Sequence, residues 1–371
     1  MRIGIDCRSL EGQKTGVGVY LSNLMQHIIK LADESIRFIC YFENEIPSVF
    51  WLNDKRIEAK IIKLPVQNNL FWSSIRLPFE LVEDRVDLFH SPSYTTPFFK
   101  LKKTIVTIHD ISYAANPEWY PYKSDYFRRY YYHRSAKSAD IILTGSEFSK
   151  NEIIKYYGID EWKVKVIYYG LDKRFIDDMG SKASNSVLNK YGIFDDYILY
   201  VGNLHYRRNL ERLIEAFITL KNENKIFETL KLVIVGKDEG SLNKLLSLYS
   251  SRSDLIFTDY VEDEDIPELY RQAKCLALLS FYEGFGFPIL ESMASGTPSV
   301  VSDIEVFREI FKDNCLFVNP YDINEITQAI FNVLTNNELY RDLSVKGKTY
   351  ASSFDWENTA RKTLDQYLSC A

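Results

Sequence analysis

The sequence predicts an α/β protein of two domains, each built on a parallel sheet. Three observations carry this expectation. Short apolar runs rich in Val, Ile, Leu and Tyr alternate with longer segments at helical spacing along the whole chain, the pattern of strands covered by crossover helices. The 371 residues exceed what one ordinary core accommodates. A polar, small-residue stretch over residues 174–196 interrupts the alternation near the middle and reads as a linker.

In the first half, strands are expected at residues 2–6, 37–42, 57–63, 86–90, 104–108, 141–144 and 164–168, with a helix over 19–31. Between the first strand and that helix lies Glu11-Gly-Gln-Lys-Thr-Gly-Val-Gly18. Its Gly16 and Gly18 let backbone approach a neighbour closely, although a tight turn explains them as well. The loop is neither a Gly-x-Gly-x-x-Gly fingerprint nor a phosphate loop ending in Gly-Lys-Ser/Thr, so NAD and ATP binding lose their main support. In the second half, strands are expected at 197–201, 232–235, 255–257, 275–279 and 299–302. Helices are expected at 209–220, 241–249, 266–273, 288–295, 322–334, 337–354 and 356–367. No shorter internal repeat and no low-complexity tract occurs.

Composition removes several classes. A formal charge of −6 gives no global attraction for nucleic acid. No apolar run approaches the roughly 20 residues that span a bilayer, and Met1-Arg-Ile-Gly-Ile-Asp6 enters a strand at once, without the apolar core of a signal peptide. The odd set Cys7, Cys40, Cys275, Cys315 and Cys370 is scattered through apolar runs and fits free buried thiols in a reducing cytoplasm. No metal-ligand spacing is found. Asp263-Glu-Asp265 has the Asp-x-Asp form of some metal sites but directly precedes Ile266-Pro-Glu, where acids suit a helix start. No metal is assigned.

The chemistry concentrates at strand-to-helix loops. Glu283-Gly-Phe-Gly-Phe-Pro-Ile-Leu-Glu291 follows an apolar strand, and Pro288 suits the first position of a helix. Such a helix start at the carboxyl edge of a parallel sheet attracts an anion. Gly202-Asn-Leu-His-Tyr-Arg-Arg-Asn209 is a second such loop. Asn209 is a good N-cap, and two arginines beside a helix start are awkward for its dipole unless an anion is present. Thr107-Ile-His-Asp110 ends a strand; alone, a His-Asp pair reads as a capped loop with a satisfied imidazole. Residues 120–134 crowd Tyr122, Tyr126, Phe127, Tyr130, Tyr131 and Tyr132 among Lys123, Arg128, Arg129 and Arg134. They suit either a core-facing helix with a solvated basic side or an interfacial surface.

The run from Glu283 to Pro298 resembles the signature of the group 1 (family 4) retaining glycosyltransferases, and similarity extends from Thr15-Gly-Val-Gly18 to Phe354-Asp-Trp-Glu357. The resemblance implies the GT-B architecture, two Rossmann-like domains facing across a cleft. The first would take residues 1–175, completed by helix 355–371, and hold the acceptor. The second, 176–354, would hold the donor. It implies metal-independent transfer, with retention, from a nucleotide-diphosphate sugar and no other cofactor. Overall similarity to bacterial surface-polysaccharide mannosyltransferases points to GDP-mannose, with UDP- and dTDP-sugars as alternatives.

By the same resemblance, Glu283 holds the donor sugar's hydroxyls, His109 contacts that sugar, and Arg208 with Arg207 neutralises the leaving diphosphate. Glu291 binds the ribose. Gly16 and Gly18 face the diphosphate, the backbone N–H groups of Phe285, Gly286 and Phe287 lie near the sugar that Glu283 holds, Ile289 and Leu290 belong to the same donor-side helix start, and Val235, Gly236, Tyr260 and Val261 line the base. Asn203 departs from the arginine that many members carry, and Arg208 stands where a lysine is usual. Ser146, Arg128 and Arg129 are expected on the acceptor side. The acceptor is a glycan or a polyprenyl-linked glycan, which brings the chain to the inner face of the cytoplasmic membrane through weak contact with anionic lipid; nucleic acid is not a partner. The alternatives are an epimerase or glycogen-type phosphorylase of the same architecture, and a non-catalytic sugar-nucleotide-binding protein.

Overall fold

The computed structural model describes residues 1–12, 16–63, 72–120, 125–177, 184–238 and 243–371. Two compact units emerge, Met1–Gly170 with Asp355–Ala371, and Leu171–Phe354. The expected boundary at 175 falls inside the second unit. Phe175 is buried there edge-on against Tyr270, with ring centroids 5.7 Å apart, and Arg174 donates to the Asp263 carbonyl at 2.7 Å. The expected linker also contains a helix, Ser184–Lys190, while its residues 178–183 lie outside the described residues.

In the first unit, β1 (Arg2–Asp6), β2 (Arg37–Phe42), β3 (Ile57–Ile61), β4 (Leu88–Ser91), β5 (Lys103–Thr107), β6 (Ile141–Thr144) and β7 (Val164–Val166) form one sheet. All its pairings are parallel, in the order β3-β2-β1-β4-β5-β6-β7. The central strands are buried along nearly their full length, which is why they read as continuous apolar runs and not as alternating ones. The chain winds outward from β1 to β3, then returns to the other side of β1 for β4. That reversal leaves the loops after β1 and β4 diverging around a crevice at the carboxyl edge.

The second unit repeats the plan with β8 (Tyr197–Val201), β9 (Lys231–Val235), β10 (Leu255–Asp259), β11 (Cys275–Leu278), β12 (Ser299–Ser302) and β13 (Leu316–Val318). The order is β10-β9-β8-β11-β12-β13, again parallel, and the reversal lies between β8 and β11. β13 was not expected from the sequence, because Leu316-Phe-Val318 is too short to show a period. It forms because β12 offers it a parallel partner, with Val301 opposite Phe317. Gly236, after β9, has φ +144°, and a Cβ there would come within 2.0 Å of the Gly202 carbonyl oxygen. Only glycine lets the two loop starts pass this closely.

The last helix, Trp356–Cys370, packs on helix Gly16–Leu31 of the first unit. Close approach is again paid in glycine, since a Cβ on Gly170 would lie 2.2 Å from the Trp356 nitrogen. Deeper in, the Tyr367 hydroxyl meets His90 Nδ1 at 2.6 Å, and His90 Nε2 meets Thr107 Oγ1 at 2.8 Å. Burial pushes the His90 imidazole down to about 3, so it is neutral and both of its nitrogens need partners. Tyr367→Phe removes one partner and is expected to cost about 1–3 kcal/mol. Urea denaturation checks this, and a midpoint equal to that of the parent would remove the His90 contact from the account.

Candidate active site

At the reversal point of the second sheet, the loop after β8 and the loop after β11 come together. The Phe281 amide donates to the Arg207 carbonyl at 2.8 Å, and Leu204 N donates to Lys237 O at 3.0 Å, holding the β8 loop against its neighbour. In this frame Arg208 Nη1 forms an ion pair with Glu283 Oε1, their side chains only 15% and 7% exposed. A carboxylate and a guanidinium so far removed from water need each other, since either alone would carry a large desolvation cost. Asn209 is not the side-chain cap expected. It lies at φ +55° with no capping bond; its Nδ2 donates to Pro320 O at 2.8 Å and its Oδ1 accepts from Arg212 at 3.2 Å. The residue is buried, and the β13 side of the unit claims its amide.

The loop after β11 turns into helix Phe287–Ala294 through Gly286 at φ +112°. A Cβ on Gly286 would meet the Phe307 and Phe311 rings at 3.0 Å. On this short helix Ile289 and Leu290 point wholly into the core, and Phe285 is buried beside Phe287 and Phe354, ring centroids 5.3 and 6.2 Å away. Of the expected donor-side positions, Ile289, Leu290, Phe285, Val235 and Val261 therefore have buried side chains. Tyr260 is 44% exposed. Asn203 is exposed and Arg207 half-buried. Glu291, one turn into the helix, accepts from the buried Tyr270 hydroxyl at 2.9 Å. Burial pushes its carboxyl up to about 7, against the opposing pull of the Tyr270 bond and of Arg174.

In the first unit, Gly16 and Gly18 sit in the opening turn of helix Gly16–Leu31, which begins earlier than expected. A Cβ on Gly16 would meet nothing within 4 Å among the described residues, so no close packing among them requires that glycine. Thr15 lies outside the described residues. His109 follows β5 with both ring nitrogens engaged, Nε2 to the Pro92 carbonyl at 3.0 Å and Nδ1 to the Tyr169 hydroxyl at 2.7 Å. A carbonyl can only accept, so Nε2 carries the proton and Tyr169 donates to Nδ1. Burial pushes this imidazole down to about 4. His109 thus fixes the loop after β4.

Ser146 is buried and caps helix Glu147–Tyr157, its Oγ accepting from Ser149 N at 3.1 Å; of the two roles open to it, the cap is the one built. On helix Tyr126–Ser138, Arg128 pairs with Asp125 at 3.2 Å, Arg134 donates to Pro97 O, and Lys137 donates to Gly158 O at 2.6 Å. Arg129 is exposed beside Tyr126 and Tyr130. Tyr122 and Lys123 lie outside the described residues. Asp265 does not cap its helix; it accepts from Lys190 and from the Tyr191 hydroxyl, each at 2.7 Å. Among the described residues no group of three or more His, Cys, Asp and Glu side chains is placed to hold a metal.

Two doubly wound parallel units are the components of the GT-B architecture, and here a paired arginine and glutamate lie at the second reversal point with another glutamate on the adjoining helix. Family models agree, Glycosyltransferase Family 4 matching residues 14–175 and Glycosyl transferases group 1 matching 189–350. The chain is similar to O-antigen chain mannosyltransferase B of Escherichia coli, 30% identical over 95% of this chain and 96% of that protein. It is similar also to O-antigen chain mannosyltransferase RfbU of Salmonella typhimurium, 29% identical over 78% of this chain and 74% of that one. Among solved structures, Anabaena HepE in complex with UDP-glucose matches with a TM-score of 0.78 at 16% identity, covering 100% of both chains. WaaG, a glycosyltransferase involved in lipopolysaccharide biosynthesis, matches at 0.76 and 16% identity, over 98% of this chain and 99% of that one. The chain belongs to the group 1, family 4 glycosyltransferases.

Sequence reasoning named Arg208 and Glu283 separately; their direct pairing was not visible, because the reversal that joins their loops is a property of sheet order. It also missed Tyr270, whose only signal was a tyrosine in a helix. Arg208→Ala is expected to destabilise the second unit by about 3 kcal/mol, because it strands a buried carboxylate. The double variant Arg208→Ala/Glu283→Gln should recover part of the loss in thermal denaturation. A single variant as stable as the parent would contradict the pairing.

Proposed function

We propose that this glycosyltransferase moves a mannosyl group from GDP-mannose to a glycan or polyprenyl-linked glycan in surface-polysaccharide synthesis, with retention at the anomeric carbon and without a metal. The observation that carries the reading is the Arg208–Glu283 pair at the reversal point of the donor-side sheet. Departure of a nucleoside diphosphate concentrates negative charge on its terminal phosphate, and a preorganised guanidinium with a helix start beside it stabilises that charge. On donor binding, Arg208 turns its charge toward the phosphates. Glu283, released from the pair, accepts hydrogen bonds from the hydroxyls of the transferred sugar. Glu291 accepts from the ribose, and Arg207 adds charge where Asn203 supplies none. The choice of mannose is supported by the relatives that carry mannosyltransferase names.

Incubation of the purified protein with GDP-, UDP- and dTDP-sugars should show transfer or slow hydrolysis of GDP-mannose above the others, undiminished by EDTA. Preference for a UDP-sugar would overturn the donor assignment, and loss of activity restored by Mg²⁺ or Mn²⁺ would overturn the metal-free reading.

The Glu291 carboxyl, pushed up to about 7 by burial, makes donor affinity depend on pH. An acceptor of ribose hydroxyls works best ionised, and this group loses its proton only as the pH rises through about 7. The KM for donor should therefore fall between about pH 6 and 8 while kcat changes less. Glu291→Gln should raise KM and flatten the profile. An unaltered profile would take Glu291 off the ribose.

Membrane contact, in this reading, comes from the exposed Tyr126, Phe127 and Tyr130 with Arg129. Because Arg128 pairs with Asp125, and Arg134 and Lys137 are held by backbone carbonyls, fewer basic side chains can reach out to a surface than the sequence suggests. Each basic residue near an anionic surface contributes about 1 kcal/mol. Weak, salt-reversible co-sedimentation with anionic vesicles is expected, reduced in Arg129→Glu. No binding at low salt would remove this contact.

A further inference from the structure

The reversal point of the first sheet also holds a cavity, of about 670 Å³, walled by the loops after β1, β2 and β4 and by helix Tyr126–Ser138. Its size is that of a pocket for a small molecule. The charged lining is Asp6, Arg8, Glu11, Glu43, Asp125 and Arg128. Most of these groups are spent on the protein itself. Asp6 accepts from Arg8 Nε at 3.0 Å and Nη2 at 2.7 Å, and the guanidinium lies 3.9 Å above the centre of the Trp72 ring. Glu11 accepts from Asn44 N at 3.0 Å and Nδ2 at 2.8 Å. Asp125 caps its helix through Arg128 N at 2.8 Å.

Glu43 is the exception. Its side chain is 10% exposed and lines the cavity, yet its carboxylate accepts no hydrogen bond among the described residues; its one partner is Arg8 Nη1 at 3.8 Å, beyond hydrogen-bond distance. A carboxylate so enclosed without donors is costly, and burial accordingly raises its affinity for a proton. A ligand that donates hydrogen bonds recovers that cost.

The chemistry of the ligand follows from what surrounds Glu43. Four carboxylates face two guanidiniums, and both guanidiniums are already paired, so an anion such as a phosphate is repelled. A cation is disfavoured by Arg8, which lies beside Glu43, the one acid of the described lining whose carboxylate accepts no hydrogen bond. What remains is a neutral molecule offering a donor and an acceptor close together, which a pair of neighbouring hydroxyls supplies: one donates to Glu43 while the next accepts from Arg8. Phe127, Tyr131 and Tyr132 add aromatic surface to the same wall, suited to the apolar C–H face of a pyranose.

We propose that this cavity binds one uncharged sugar unit of the acceptor, through neighbouring hydroxyls read by Glu43 and Arg8, and that it excludes the acceptor's phosphate-bearing end. The assignment rests on the protein acting on a glycan acceptor, but its test needs no donor. The full-length protein, free of nucleotide, is mixed with methyl α-mannoside, methyl α-glucoside and methyl α-galactoside, and binding is read by saturation-transfer NMR with mannose 6-phosphate as the charged competitor. At least one methyl hexoside should bind at millimolar concentration and resist displacement by the phosphate. Glu43→Gln should weaken it tenfold or more, and Ser93→Trp, which fills the cavity, should abolish it. Both variants should bind GDP as the parent does, which shows that the second unit is intact. The proposal is overturned if no hexoside binds the parent, if either folded variant binds as well as the parent, or if the phosphate sugar competes on equal terms. Hexoside binding with a donor other than GDP-mannose would leave the cavity assignment standing and correct only the donor.

Discussion

A guanidinium and a carboxylate can both be kept from water only when the fold brings them together, and here the ordering of strands does so. Arg208 and Glu283 are far apart in sequence. Their loops meet because β8 and β11 are adjacent at the point where the second sheet reverses direction. Everything else around the pair serves that meeting. Gly202 and Gly236 pass within contact of one another so that the β8 loop can lie flat, Phe281 ties the two loops through the Arg207 carbonyl, and Gly286 fits between the ring of Phe307 and that of Phe311 to start the following helix.

The two reversal points have opposite electrostatic character. The second offers a guanidinium and a helix start, groups that suit a charged diphosphate. At the first, Asp6, Glu11, Glu43 and Asp125 outnumber Arg8 and Arg128, a lining that suits hydroxyls and opposes phosphate. His109 supports this second chemistry at one remove, since its bond to the Pro92 carbonyl positions the loop after β4.

Much of this was legible in the sequence. Buried parallel strands announce themselves as apolar runs, so most strands fell near their expected places, and Glu283 and Glu291 stood out by their spacing around Pro288. What stayed hidden depended on tertiary partners. β13 is too short to carry a period. Asn209 looks like a cap until Pro320 and Arg212 are seen to hold its amide. Ile289 and Leu290 follow the signature, yet a helix must turn one side inward, and these are the residues on it. Glu43 had no signal at all, because a lone glutamate after a strand ordinarily reads as surface; only the enclosure by neighbouring loops makes it unusual.

In the proposed function, donor binding exchanges the Arg208–Glu283 pair for a contact between Arg208 and phosphate. Titration calorimetry of GDP and UDP into the parent and into Glu283→Gln tests it most directly. Without the competing carboxylate the guanidinium is free to meet the anion, so the variant should bind nucleoside diphosphate at least as tightly as the parent, although it turns over poorly. Binding that weakens on removing Glu283 would contradict the exchange and place the phosphates elsewhere.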